Sequence, residues 1–265
     1  MDQGLFASLA AVALLVSVGL FFGMLALMEV GRGIGVRRRK QDATGYRAGV
    51  GTVESAVFAL LGLLMAFTFS GAASRFDVRR QLIIEETNNI GTAYLRLNLL
   101  PNNAQPALRE QFRQYVDARL AFYRKLKDMP AAMAEHVKAN RLQGEIWRQA
   151  VVASYEKGAL PAAAMLLLPA LNAMFDIAAT RTLAMLIHPP EIIFVMLLGL
   201  ALASALLVGY GMADSKERNW LHMLGLAFVM AAAIYVILDI EYPRFGFIRV
   251  DAFDQALVQL RDSMK

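Results

Sequence analysis

Four apolar stretches without any charged residue constrain the fold of this chain more than any other feature. They cover residues 5–28, 56–73, 192–212 and 220–238. An α-helix rises about 1.5 Å per residue, so roughly 20 apolar residues span the hydrocarbon core of a bilayer. One such helix could be the core of a soluble domain, but four of them predict an integral membrane protein.

The composition agrees with membrane burial and excludes several kinds of chemistry. Of the 265 residues, 57% are hydrophobic and 18% are charged, whereas about a quarter of a soluble domain is charged. Cysteine is absent, which excludes disulfides, thiolate nucleophiles and cysteine-ligated metals. The net charge of +5 favours contact with anionic lipid headgroups over nucleic acid.

The chain divides by composition into four segments. Residues 1–73 hold spans one and two with a basic loop at 31–50, residues 74–189 form a polar insertion, residues 190–239 form a hairpin of spans three and four, and residues 240–265 form a short tail. Apolar residues of the insertion recur at helical spacing, and no strand-like alternation appears. We therefore predict an all-α membrane protein with four transmembrane helices and a helical extramembrane domain inserted between helices two and three.

The last helix of the insertion, after Pro161, allows a second interpretation. Residues 162–168 contain no polar side chain, so this helix could be a fifth span. Asn172, Asp176 and Thr180 form one polar stripe at intervals of four residues. Together with Pro169, this stripe favours burial against other helices or other subunits.

Basic residues near the spans predict the orientation. The two short loops hold eight Lys and Arg residues, and cytoplasmic loops of membrane proteins are enriched in these residues. These residues are Arg32, Arg37, Arg38, Arg39, Lys40, Arg47, Lys216 and Arg218. We expect the short loops in the cytoplasm and the helical domain outside.

No motif predicts an enzyme, a cofactor or a metal site. His136, His188 and His222 lie in separate segments without the spacing of metal ligands. Adjacent Glu85 and Glu86 point to different helix faces, and we interpret them as surface residues or as partners of the arginines at 79, 80 and 96 rather than as a catalytic pair.

The motif Gly31-x-Gly33-x-Gly35 does not indicate a phosphate-binding site. A phosphate-binding glycine motif follows a strand, and this one follows a membrane span. We therefore interpret the segment as a flexible loop beside the lipid.

Span two continues into a charged helix without a proline. After an apolar run its side chains become small and polar at Ser70, and the segment continues through Ala72 into Arg75-Phe76-Asp77. A ring of such helices gives an apolar constriction that can gate ions by dewetting. The alternative is a lipid-facing helix with an amphipathic extension.

The sequence resembles the bacterial bestrophin-like family of unknown function from about residue 50 onward. The resemblance rests on residues 60–80 and 85–96, on Pro189-Pro190 and Gly209-Tyr210, and on Asp239-Ile240-Glu241-Tyr242-Pro243-Arg244-x-Gly246. The family is distantly similar to bestrophins, which are ion channels assembled as rings of five with span two lining an apolar neck.

The resemblance implies a homo-oligomeric channel for inorganic ions in the bacterial inner (plasma) membrane, and a pentamer if the chain follows the bestrophin ring of five. It places Leu60, Leu63, Leu64 and Phe67 near the neck, and Thr68 and Ser70 at its polar mouth. Fifteen Lys and Arg against ten Asp and Glu in the insertion slightly favour anions. The chain lacks the C-terminal region that carries the calcium clasp of animal bestrophins, so calcium control is not implied.

One feature of the sequence departs from bestrophins and leaves the orientation and the function open. The charge bias places the helical domain outside, whereas the domain is cytoplasmic in bestrophins. A non-conducting scaffold or sensor whose helical domain binds a partner stays the main alternative, and an enzyme acting on lipid is a third.

Overall fold

The computed structural model describes residues 3–42, 49–214 and 218–264, with side chains from residue 11 onward. Within these ranges the chain is helical and contains no strand, which confirms the all-α prediction. The helices are α1 (Gln3–Gln41), α2 (Val50–Arg96), α3 (Gln105–Arg124), α4 (Met129–Ser154), α5 (Ala163–Ala184), α6 (Glu191–Gly211), α7 (Trp220–Glu241) and α8 (Gln255–Ser263).

Five of the described helices are long and apolar enough to cross a membrane. Four of them, α1, α2, α6 and α7, contain the stretches expected to be spans. The fifth is α5, whose mean hydropathy of 1.5 is the lowest of the five. The protein is thus a membrane protein with several apolar helices, and the number of four spans stays a prediction.

The chain forms two compact units. One unit, here called the helical unit, is built mainly from Phe76–Ile187 and Arg249–Lys265. The other, the span unit, consists of Leu9–Arg75 and His188–Ile248. Helix α2 contributes its first half to the span unit and its second half to the helical unit. The four segments expected from composition remain a prediction.

The helical unit has a core of large side chains from several helices. Ile90 of α2, Phe112 and Tyr115 of α3, Ile146 of α4 and Leu171 of α5 are all buried in one cluster. Apolar residues at helical spacing explain this core, because each helix turns one face toward the others. The apolar helix α5 therefore supplies buried residues to a helix bundle, as the favoured interpretation of its sequence requires.

Prolines and polar caps set the helix boundaries of the helical unit. Pro106 and Pro130 lie in the first turns of α3 and α4, where a missing N–H costs no helical hydrogen bond. The Asp128 carboxylate accepts a hydrogen bond of 3.2 Å from the backbone N–H of Ala131 and caps α4.

The span unit is packed through small residues and methionines. Met24 and Met28 of α1, Ala201 of α6 and Ala227 of α7 are fully buried in its core. Gly209 of α6 lies so close to α1 that a Cβ atom there would overlap the backbone of Met28. Such close backbone approach is typical of membrane helices with small residues at the interface.

The segment after span one is helical, where the sequence favoured a flexible loop. Helix α1 extends to Gln41. Gly31 and Gly35 pack against α6, where added Cβ atoms would overlap the backbone of Leu206 and Tyr210. The glycines are needed for this contact, and the packing outweighs their low helix propensity of about 1 kcal/mol each. Of the loop residues, Arg47 and Lys216 lie outside the described residues.

Candidate functional site

One exposed face of α2 brings together most of the residues expected to line a pore. In the span unit Leu60, Leu63 and Phe67 are 50%, 54% and 68% exposed, and Ser70 and Ser74 are exposed at the same helical spacing. At 100° per residue these positions lie within one sector of the helix. The face is apolar from residue 60 to 67 and becomes small and polar one turn later.

The other two expected pore residues border this face. Thr68 is buried, and its hydroxyl donates a hydrogen bond of 2.6 Å to the backbone oxygen of Leu64. Leu64 is half-buried. The buried side of α2 in this unit is marked by Leu61 and Ala72, so Thr68 lies toward the packed side of the helix.

After Val78, which is exposed in the same sector, this side of α2 is polar in the helical unit. Gln81, Glu85, Asn88 and Thr92 are exposed and continue the spacing of three and four residues. The helix is unbroken from Val50 to Arg96, which confirms the continuous passage expected from the sequence. Helix α2 therefore presents an apolar section followed by a polar section on one side.

A buried ion pair holds α2 where the apolar section ends. The Glu241 carboxylate at the end of α7 is fully buried. It accepts hydrogen bonds from Arg75 Nε at 3.0 Å and from Arg75 Nη2 at 2.6 Å. His188 Nδ1 lies 2.9 Å from the same carboxylate. Two hydrogen bonds from one guanidinium fix the position of α2 relative to the end of α7 better than a single contact would.

One turn further on, Arg79 contacts the end of α5. Its guanidinium is buried and donates hydrogen bonds to the backbone oxygens of Ala184 at 3.3 Å and Ile187 at 3.0 Å. Carbonyl groups at a helix C-terminus have no partners within the helix, and a cation suits the negative end of the helix dipole. Arg79 thus stabilises the connection that follows α5.

A buried charge network lies at the centre of the helical unit. Glu86 of α2 is fully buried and accepts hydrogen bonds from Arg119 Nε at 2.6 Å and Arg181 Nη1 at 2.5 Å. Arg181 also donates to Asp254 Oδ1 at 2.6 Å, and its guanidinium lies 3.7 Å from the centre of the Tyr123 ring.

The two arginines decide the protonation state of Glu86. Burial by itself raises the pKa of this carboxyl, but the attraction of Arg119 and Arg181 outweighs it, so the pKa falls below its ordinary value of 4.5. Glu86 is therefore ionised at neutral pH, and its partners are not the arginines suggested by the sequence. The neighbouring Glu85 is exposed, as expected for adjacent helix residues.

The histidines do not assemble a metal site. His136 lies 3.2 Å from Asn140, and burial together with the charge of Arg119 lowers the pKa of its imidazole. His188 contacts Glu241, while His222 is exposed at the start of α7. Among the described residues no group of three or more His, Cys, Asp and Glu could hold a metal ion.

Comparison with known proteins defines the class of this chain. The family model of the Bestrophin-like domain matches residues 19–252. Crystal structures of mutants of a bacterial Bestrophin homologue from Klebsiella pneumoniae share the fold. One has a TM-score of 0.66 at 14% identity, covering 92% of this chain and 98% of the other. A second has a TM-score of 0.63 at 14% identity, covering 93% and 98%.

The family is therefore shown by the match over most of the chain. The protein belongs to the Bestrophin-like domain family, and it is an all-helical membrane protein. The similar structures are under 25% identical to it and show the fold alone. Comparison with curated proteins gives no match.

Proposed function

We propose that the protein is a homo-oligomeric ion channel in which α2 lines the symmetry axis. The exposed face of α2 carries this proposal, because an apolar sector at Leu60, Leu63 and Phe67 continues into a polar sector on the same side of one helix. A lipid-facing helix with an amphipathic extension would show the same succession, and the flux experiment below distinguishes the two. In a ring, the apolar sector forms the neck and Ser70 begins its polar mouth, with Leu64 and Thr68 bordering the neck.

The neck restricts ions because apolar side chains do not replace the hydration shell. Narrow apolar pores also lose their water, which raises the barrier further. Phe67 is the largest and most exposed of the neck residues, so it contributes most to the constriction. We propose a ring of at least three subunits, and five as the family resemblance implies.

The charges closest to the proposed path favour cations, although the whole insertion is basic. Arg79, Arg119 and Arg181 are buried and hydrogen-bonded away from the exposed face of α2. That face carries Glu85 instead, while Asp77 near its edge is paired with Arg80. Interactions fall with distance and are screened within about 8–10 Å. A ring of carboxylates at Glu85 would therefore outweigh the anion preference expected from total charge.

Flux through the neck tests the proposal. We expect Phe67→Ala and Leu63→Ser to raise ion flux from liposomes, because both shrink the apolar constriction and the second also introduces a hydroxyl. Phe69→Ala is the matched control, since Phe69 is exposed on the opposite side of α2 and should leave flux unchanged.

The outcome separates the channel from the scaffold interpretation. Unchanged flux in both neck variants, with a spin label at Phe67→Cys accessible to lipid-soluble oxygen and not to a water-soluble relaxation agent, would contradict a pore along α2. Equal effects of Phe67→Ala and Phe69→Ala would contradict the assignment of the face.

The location and orientation are part of the proposal. We place the protein in the bacterial inner membrane, with Arg37 to Lys40 and the α6–α7 connection in the cytoplasm. The basic residues of these segments support this orientation.

A further inference from the structure

The end of α1 carries exposed basic residues beyond the apolar part of the helix. Arg37, Arg38 and Lys40 are exposed, and the chain remains helical to Gln41. Neighbouring Arg39 differs from them, because it lies 3.7 Å from the Asp214 carboxylate and donates a hydrogen bond of 3.4 Å to the backbone oxygen of Ala213. Three cations on one helix turn therefore face outward from the span unit.

This cluster has a fixed position in the span unit. Gly31 and Gly35 bring the extended part of α1 into backbone contact with α6, and Arg39 holds the same segment to the end of α6. A basic arm on a flexible loop would sample many positions. A helix packed in this way presents its charges at one height above the spans.

That height lies on the aqueous side of the headgroup region of a bilayer, within reach of long basic side chains. At about 1.5 Å per residue, Arg37 to Lys40 lie roughly 13–18 Å beyond Met28, where the apolar stretch ends. The apolar stretch itself is about 36 Å long, a few ångströms longer than a hydrocarbon core of about 30 Å. The headgroups add several ångströms, and long basic side chains bend back toward the interface.

An exposed tryptophan marks the same interface independently. Trp220 at the start of α7 is 47% exposed, and tryptophan is enriched at the boundary between lipid and water. Arg218 lies two residues earlier, 3.3 Å from the Glu29 carboxylate that directly follows the apolar stretch of α1. The aromatic anchor therefore lies near Glu29 at the end of the spans, and the basic helix end lies roughly 12–17 Å further along α1.

We propose that Arg37, Arg38 and Lys40 form a binding site for the phosphate headgroups of anionic lipids, whose acyl chains extend past Trp220 toward the spans. The charges are complementary, and the adjacent helices α1, α6 and α7 offer apolar surface for the acyl chains. An acidic protein would find the cations but would gain nothing from that apolar border. The site does not depend on ion conduction, so its test is independent of the proposed function.

Quenching of Trp220 by brominated lipids tests the site. The only other tryptophan is Trp147, and Trp147→Phe leaves a single reporter. We expect brominated phosphatidylglycerol to quench Trp220 more strongly than brominated phosphatidylcholine, with an apparent preference of about fivefold or more. Replacing Arg37, Arg38 and Lys40 by glutamine together should abolish the preference and leave quenching by phosphatidylcholine unchanged.

The matched control removes the same charge elsewhere. Arg124, Lys127 and Lys138 are exposed in the helical unit, and replacing them by glutamine should retain the preference. A preference that survives in the α1 triple variant would overturn the proposal. Equal quenching by both lipids in the parent, together with binding of soluble polyglutamate at low salt, would indicate an acidic protein partner and would equally overturn it.

Discussion

Replacing Glu86 by glutamine should destabilise the helical unit more than any other removal of a single charge. The parent carboxylate is fully buried and accepts hydrogen bonds from Arg119 and Arg181, whose side chains are nearly buried as well. Glutamine keeps one acceptor but removes the negative charge. Arg181 retains Asp254, whereas Arg119 retains neutral acceptors, the hydroxyls of Tyr123 and Thr182 and the backbone oxygen of Ala178.

The expected magnitude follows from that loss. Breaking a buried ion pair by removing one partner costs about 3–5 kcal/mol, and the remaining amide acceptor places Glu86→Gln near the lower end. For a unit of this size, about 3 kcal/mol corresponds to a decrease in apparent unfolding temperature of roughly 10 °C. Glu85→Gln is the matched control, because this neighbouring carboxylate is exposed and should change the temperature little.

Thermal unfolding of the detergent-solubilised protein measures both variants, and pH adds a second test. The native pKa of Glu86 lies below 4.5. The ionised carboxylate therefore contributes fully to the free energy of unfolding above about pH 4.5, and this contribution is lost as the pH falls through the native pKa. The parent should lose stability in that acid range, and Glu86→Gln should lose less. An unfolding temperature for Glu86→Gln equal to that of Glu85→Gln would refute the reasoning.

Three further predictions concern packing, orientation and selectivity. Gly209→Ala should destabilise the span unit or weaken its assembly by about 1–3 kcal/mol, because the new methyl group overlaps the backbone of α1. Gly199→Ala on the same helix is the control in the same thermal assay, because a Cβ atom added there has no neighbour within 4 Å. A cysteine at exposed Asn103 should react with a membrane-impermeant reagent on intact cells, and labelling only after lysis would reverse the orientation. Glu85→Gln should shift the reversal potential in a salt gradient toward the anion value, and an unchanged potential would remove Glu85 from the path.

The sequence was sufficient to predict the apolar helices and the helix boundaries. Long uncharged runs and prolines act locally, and Pro106 and Pro130 lie in the first turns of α3 and α4. The continuity of α2 was also predictable, because no proline interrupts it. The helical extension of α1 was not, since its glycines indicate a loop until the backbone of α6 is placed beside Gly31 and Gly35.

The partners of Glu86 could not be predicted from local patterns. Arg119 and Arg181 are 33 and 95 residues away in the chain, whereas the arginines nearest in sequence have other contacts. Arg79 donates to the carbonyl groups after α5, and Arg80 pairs with Asp77. Only the packing of α3 and α5 on α2 decides which cation reaches the carboxylate. The burial of Thr68 likewise depends on how α2 is rotated toward its neighbours.

The contacts of α2 connect the proposed neck with the charge pairs just beyond it. Arg75 follows Phe67 by two turns and is held by Glu241, and Arg79 follows one turn later and is held by the end of α5. Side chains on a helix extend about 5–6 Å from its axis, so a rotation of about 30° would move their ends by roughly 3 Å. A displacement of that size exceeds the tolerance of a hydrogen bond. Any rotation of α2 that moves Phe67 relative to the pore axis must therefore break or replace the contacts of Arg75 and Arg79.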